Sequence, residues 1–158
     1  MNYTELHSEI KSLMSDENNF IANAANLAAL IYERMDRLNW VGFYMMNRAE
    51  LVLGPFQGKV ACIRIALGRG VCGSAASTRK SIIVDDVHEF RGHIACDCAS
   101  ESEIVIPLIK NSILYGILDI DSPHKSRFSD DDRIGLEKAV EIILELSDMD
   151  AVAEYYNL

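Results

Sequence analysis

Two extended stretches, residues 103–110 and 113–121, flank Asn111-Ser112 and predict a β-hairpin. No other feature constrains the fold as much, because strands joined by so short a turn must be antiparallel neighbours. Pro107 cannot donate to a ladder, so that position belongs at an edge or a bulge. A second pair is expected upstream. Residues 40–46 are rich in aromatic side chains, 47–50 are polar, and 51–56 return as a strand ended by Pro55 or Gly58. A period of two places Trp40, Gly42 and Tyr44 on one face, with Val41, Phe43 and Met45 on the other.

Helical periodicity brackets these strands. Leu6, Ile10, Leu13 and Met14 mark a helix over 3–15. Asp16 is the expected N-cap of the next one, over 18–38, with Phe20, Ala24, Leu27, Ile31, Met35 and Leu38 on one face and Asn39 after its end. Ser129 and the three acids after it predict a capped helix over 130–147, with Leu136, Val140, Ile143 and Leu144 inward, and residues 148–158 are expected to fray. The middle reads as an extended segment over 60–67, a turn at Gly68-Arg-Gly70, a short helix over 71–80, a short strand over 81–84 and a long polar loop over 85–97. This order predicts an α+β chain forming one domain over residues 1–158: an antiparallel sheet with the terminal helices on one face and a loop-roofed ligand pocket on the other.

Composition narrows the function. Hydrophobic residues make up 49% of the 158, enough for a core. Fifteen basic against 24 acidic residues give a net charge of −9, which argues against a nucleic-acid partner. The first residues carry no basic and apolar export pattern, and no apolar run approaches membrane-spanning length. A cytoplasmic location without membrane contact is therefore expected, where thiols stay reduced.

That expectation gives weight to the four cysteines, all between residues 62 and 98. Gly68-x-Gly70-x-x-Gly73 matches a dinucleotide fingerprint, but the helix after it is too short for a crossover unit. The glycines better suit a tight turn that presents Cys72 at a helix N-terminus, where the dipole would lower the thiol pKa. His93, Cys96 and Cys98, with Cys62 or Cys72, could bind zinc, although paired CxxC or CxxH knuckles are missing. Asp119 and Asp121 share a strand face. A two-residue turn puts Glu103 opposite Ile120, on the wrong face. A three-residue loop or one bulge brings it opposite Asp119 or Asp121. Three converging acids cannot all ionise freely, so one would hold a proton near neutral pH. Such a site could bind an ammonium group and protonate an oxygen. The alternative is a solvated acidic strand end. Trp40 and Tyr44 are either core or the apolar wall of the pocket.

Six blocks together resemble the free methionine-(R)-sulfoxide reductases, a family of GAF-domain enzymes. They are Asn39-Trp-Val-Gly-Phe-Tyr44, Leu53-Gly-Pro-Phe-Gln-Gly58, Gly68-Arg-Gly-Val-Cys-Gly73, Gly92-His-Ile-Ala-Cys-Asp97, Ser102-Glu-Ile-Val105 and Gly116-Ile-Leu-Asp-Ile-Asp-Ser122. The resemblance implies that Cys96 is the nucleophile, Cys62 the resolving thiol and Cys72 a third thiol for disulfide exchange. It implies that Trp40 and Tyr44 surround the substrate methyl group and that Glu103, Asp119 and Asp121 hold its amino group and polarise the sulfoxide. Cys98 departs from the pattern. The implied chemistry runs through a sulfenic acid and a disulfide, needs no metal or organic cofactor, and is reset by thioredoxin or a similar dithiol protein. A homodimer is one allowed assembly. The rivals from other classes are a GAF-type sensor that binds without turnover and a zinc-stabilised domain.

Overall fold

The computed structural model describes residues 1–90 and 99–158. Among these, six strands form one antiparallel sheet in the order β3-β2-β1-β6-β5-β4. Two hairpins lie side by side: β1 (Trp40–Asn47) with β2 (Glu50–Gly58), and β5 (Ser102–Lys110) with β6 (Ile113–Ser122). β1 pairs with β6 to join them, while short β3 (Arg64–Ala66) and β4 (Ile82–Val84) finish the two edges.

The strand alternation divides the chain into two apolar layers. Val41, Phe43 and Met45 of β1, Ile104, Ile106 and Leu108 of β5, and Leu118 and Ile120 of β6 face the helices. Against them pack α1 (Tyr3–Met14), α2 (Phe20–Arg34), α4 (Asp130–Leu146) and α5 (Met149–Tyr156). The opposite face carries Trp40, Tyr44, Val105 and Ile117. It is covered by α3 (Gly70–Thr78) together with Val84, Val87 and the flank of Cys62. Both faces are as the alternation predicts.

The central hairpin has a two-residue turn and a bulge. Asn111 and Ser112 both take left-handed φ angles, 51° and 65°, which suit the twist of a tight hairpin. Lys110 pairs with Ile113 and Ile109 with Leu114, but Leu108 then pairs with Gly116, leaving Tyr115 over. Tyr115 is buried among the helix-facing residues. From that point Glu103 lies opposite Asp121 instead of Ile120. Pro107 sits beside this irregularity, and β4 begins only at Ile82, opposite Val105, so position 107 has a strand on one side only.

Several helix boundaries differ from expectation. Asn19, not Asp16, caps α2, with its side chain accepting from the Ala22 N–H. Starting at Asp16 would force Glu17, Asn18 and Asn19 into helix, whereas starting at Phe20 buries the first residue at once. The helix ends at Arg34: Met35 is extended and Arg37 left-handed, so Leu38 lies beyond it. Only Arg64–Ala66 of the extended middle segment joins the sheet. Residues 149–156 are helical, because Asp148 caps Ala151 and because Met149 and Val152 are buried. The capping box of Ser129 with Asp132 is present. Among the described residues no helix is long and apolar enough to cross a membrane.

Candidate active site

The registers place the polar candidates in one row. Trp40 of β1 faces Asp121 of β6, and Asp121 faces Glu103 of β5. One step along, Gly42 faces Asp119, which faces Val105. Like charges directly across a strand pair are destabilising, so stability alone does not account for Glu103 beside Asp121. Gly42 makes room for this row. A Cβ there would lie 2.4 Å from both the Trp40 ring and the Phe56 Cβ, so only glycine lets the indole lie flat across the sheet. Trp40 stacks between Phe56, at 5.4 Å between centroids, and Tyr44, at 5.9 Å. Phe56 thus extends the aromatic wall beyond the two rings expected from sequence. Its signal was the missing side chain at Gly42, directly opposite in β1.

α3 supplies the last member. The turn before it uses left-handed glycines, Gly68 at φ 75° and Gly70 at 61°, as the fingerprint-like spacing suggested. Cys72 comes in the first turn of α3 and its Sγ donates to Glu103 Oε1 at 3.4 Å. A lowered thiol pKa was expected there, but the thiol is pushed up: burial dominates, and the charges of Asp119, Glu103 and Asp121 add to it. A helix N-terminus offers about half a charge. Full removal from water beside carboxylates outweighs that.

The acids behave as a coupled set. Burial, then Asp119 and Asp121, hold Glu103 well above the usual carboxylate range. Burial pushes Asp119 up to about 6, opposed by hydrogen bonds from Cys72 and Glu103. Both members of the pair therefore hold a proton more readily than an ordinary carboxylate, and together they can share one in the buried site. Among the described residues, none donates a hydrogen bond to the buried Asp119 Oδ1. An ionised buried oxygen without a donor is costly unless a ligand supplies one. Cys72, Glu103 and Asp119 could also offer ligand atoms within 4.8 Å of one another to a metal. An ion there would have to displace the protons of both Cys72 and Glu103.

The thiol positions are only partly described. Cys72 is free and buried. Cys62 is disulfide-bonded and half-buried beside Tyr44, whose hydroxyl donates to the Cys62 carbonyl at 3.0 Å. Cys96, the expected nucleophile, lies outside the described residues, as do His93 and Cys98 of the zinc alternative. Among the described candidates, the structure brings together Trp40, Tyr44, Cys72, Glu103 and Asp119, with Asp121 in the same row and Cys62 at its margin.

Known proteins share this arrangement of elements. The GAF domain model matches residues 22–143. The free methionine-R-sulfoxide reductase of Escherichia coli K12 is 51% identical over 138 residues, covering 87% of this chain and 84% of that protein. Among solved structures, a protein of Burkholderia vietnamiensis named as a GAF sensor is 55% identical, with a TM-score of 0.89 over 92% of each chain. The reduced form of fRMsr of Staphylococcus aureus is 49% identical, with a TM-score of 0.90 over 92% of this chain and 95% of that one; its complex with substrate gives 0.88. With identity of this order spread over most of its length, the chain belongs to the free methionine-R-sulfoxide reductase family of GAF-domain proteins.

Proposed function

We propose that the protein reduces free methionine-(R)-sulfoxide to methionine with its own thiols. The observation that carries this reading is the buried pair of Glu103 and Asp119, both pushed up by burial, set against the aromatic wall of Trp40, Tyr44 and Phe56. The orphan Asp119 Oδ1 suits a cationic α-amino group, with Asp121 in the same row. The rings suit a thioether methyl, and Glu103 can give its proton to the sulfoxide oxygen. A residue inside a polypeptide has no ammonium group to offer, so the acids favour the free amino acid. Preference for the R form follows from the family.

In the reaction, the thiolate of Cys96 attacks the sulfur of the sulfoxide, whose oxygen has taken a proton. The S–O bond of the substrate breaks as the hydroxyl passes to the Cys96 sulfur, methionine leaves, and Cys96 becomes a sulfenic acid. Cys62 condenses with it, releasing water and leaving a disulfide. A cytoplasmic dithiol protein of the thioredoxin type reduces that disulfide by exchange. Cys72 is the reserve thiol for exchange. At rest it is neutral and bonded to Glu103, so it reacts more slowly than an exposed thiol.

The test is turnover of free methionine-(R)-sulfoxide coupled through thioredoxin to NADPH consumption. Cys96→Ser should abolish activity, and Cys62→Ser should give about one methionine per chain and then stop. Binding of the sulfoxide with no methionine formed by the wild type would make the protein a sensor. Repeated turnover by Cys96→Ser would move the nucleophile elsewhere.

A further inference from the structure

Two of the three rings in the aromatic wall, Trp40 and Tyr44, also hold the segment that carries Cys62. Residues 59–63 have neither helix nor strand and connect β2 to β3. Val60 and Ile63 within them are 89% and 70% exposed, while Ala61 and Cys62 between them are partly buried against the cluster of Trp40 and Tyr44. Its main chain is fastened from below. Trp40 Nε1 donates to the Lys59 carbonyl at 3.0 Å, and Tyr44 Oη donates to the Cys62 carbonyl at the same distance. The Leu53 N–H closes the far end onto the Ile63 carbonyl, also at 3.0 Å. Both aromatic donors come from β1, the strand that meets Asp119 and Asp121 across the β1–β6 pair, and both side chains are almost fully buried. Burial, then the nearby acids and Cys72, push the Tyr44 hydroxyl up, so it stays a donor across the working pH range.

We infer that Trp40 and Tyr44 are positioning residues for the resolving step, setting the reach of Cys62 through the backbone carbonyls of Lys59 and Cys62. The inference deepens the reductase reading and takes its nucleophile from it. In the step concerned, the Cys62 thiol meets the sulfenic sulfur. An S–S bond forms, the S–O bond breaks, and water departs with the hydroxyl and the thiol proton. The sulfenic sulfur is reduced as the Cys62 sulfur is oxidised. The intramolecular rate and the stability of the disulfide both scale with the effective concentration of Cys62 at its partner. A segment held at two carbonyls explores less space than a free one, so the hooks raise that concentration.

Tyr44→Phe keeps the ring and removes one hook. The first readout is the redox equilibrium of the Cys62 disulfide against dithiothreitol, which gains a disulfide as the protein gains two thiols. The variant should be about three- to tenfold easier to reduce than wild type. The second is the rate at which sulfenic acid, once formed, becomes disulfide, followed by trapping with a 1,3-dione and mass spectrometry. It should fall by a similar factor. Val60→Ala, at an 89% exposed position of the same segment, removes neither hook and should leave both readouts near wild type. An unchanged equilibrium in folded Tyr44→Phe would overturn the inference, as would an equal shift in Val60→Ala. The redox equilibrium needs no methionine sulfoxide. If wild type failed to reduce the sulfoxide yet Tyr44→Phe still shifted the equilibrium, the hook would stand and the reductase reading would fall.

Discussion

Asp119 and Cys72 show what burial does to groups whose sequence context promised something else. Cys72 occupies the position at which a helix dipole activates a thiol, and it is nevertheless held neutral by burial, with its acidic neighbours adding to the effect. No single stretch of sequence carries that information, since Cys72, Glu103 and Asp119 come from three separate elements. Asp119 carries a measurable consequence. Its pKa in the folded chain is raised from 3.8 to about 6. Between these values the folded chain binds more protons than the unfolded one, so stability falls as pH rises through this window and levels off above it. Asp119→Asn should therefore raise the melting temperature at pH 8, by about 2–4 °C, and change it less at pH 5. The same substitution should raise KM for methionine sulfoxide about tenfold or more, through loss of a buried ion pair to the amino group.

At the scale of elements, hairpins and helical stripes were legible, whereas register and boundaries were not. Asn111-Ser112 marked the turn, and the alternation about Trp40 and Val41 assigned both faces. The face of Glu103 depended on a bulge that Pro107 could only suggest. The residue left over is Tyr115, on the other strand, which the structure buries against the helices. Asn19 displaced Asp16 as a cap because the core wanted Phe20 first, a tertiary preference that local propensity does not contain. Gly42 illustrates how one strand position serves the site. Gly42→Ala should leave the sheet paired, since its strand remains central, but the added methyl must displace the Trp40 ring. The variant should bind methionine sulfoxide about tenfold more weakly while losing only about 1–3 kcal/mol of stability, as read by calorimetry and urea unfolding.

For the molecule as a whole, the helical layer is fastened at a place far from the pocket in sequence. Tyr3 Oη donates to Asp132 Oδ1 at 2.7 Å, and the buried Arg127 guanidinium lies 3.4 Å from the other oxygen. Arg127 also reaches Asp36 at 3.3 Å, so the first helix, the α2–β1 connection and the start of α4 share one network. Burial pushes Asp132 up, but its bonds from Tyr3 and Ser129 and the Arg127 charge bring it below the usual carboxylate value. The sign is opposite to that of Asp119: this stability is present above the ordinary carboxylate value and is lost as pH falls. Asp132→Ala should cost about 2–4 kcal/mol in urea unfolding at pH 7 by removing the cap and stranding Arg127. Trp40 gives the chain one more property. It is the single tryptophan among 158 residues, and it lies sandwiched between Tyr44 and Phe56. Indole emission from this protein consequently has one origin, and its colour and intensity track solvent entry and quenching at that wall without any attached dye.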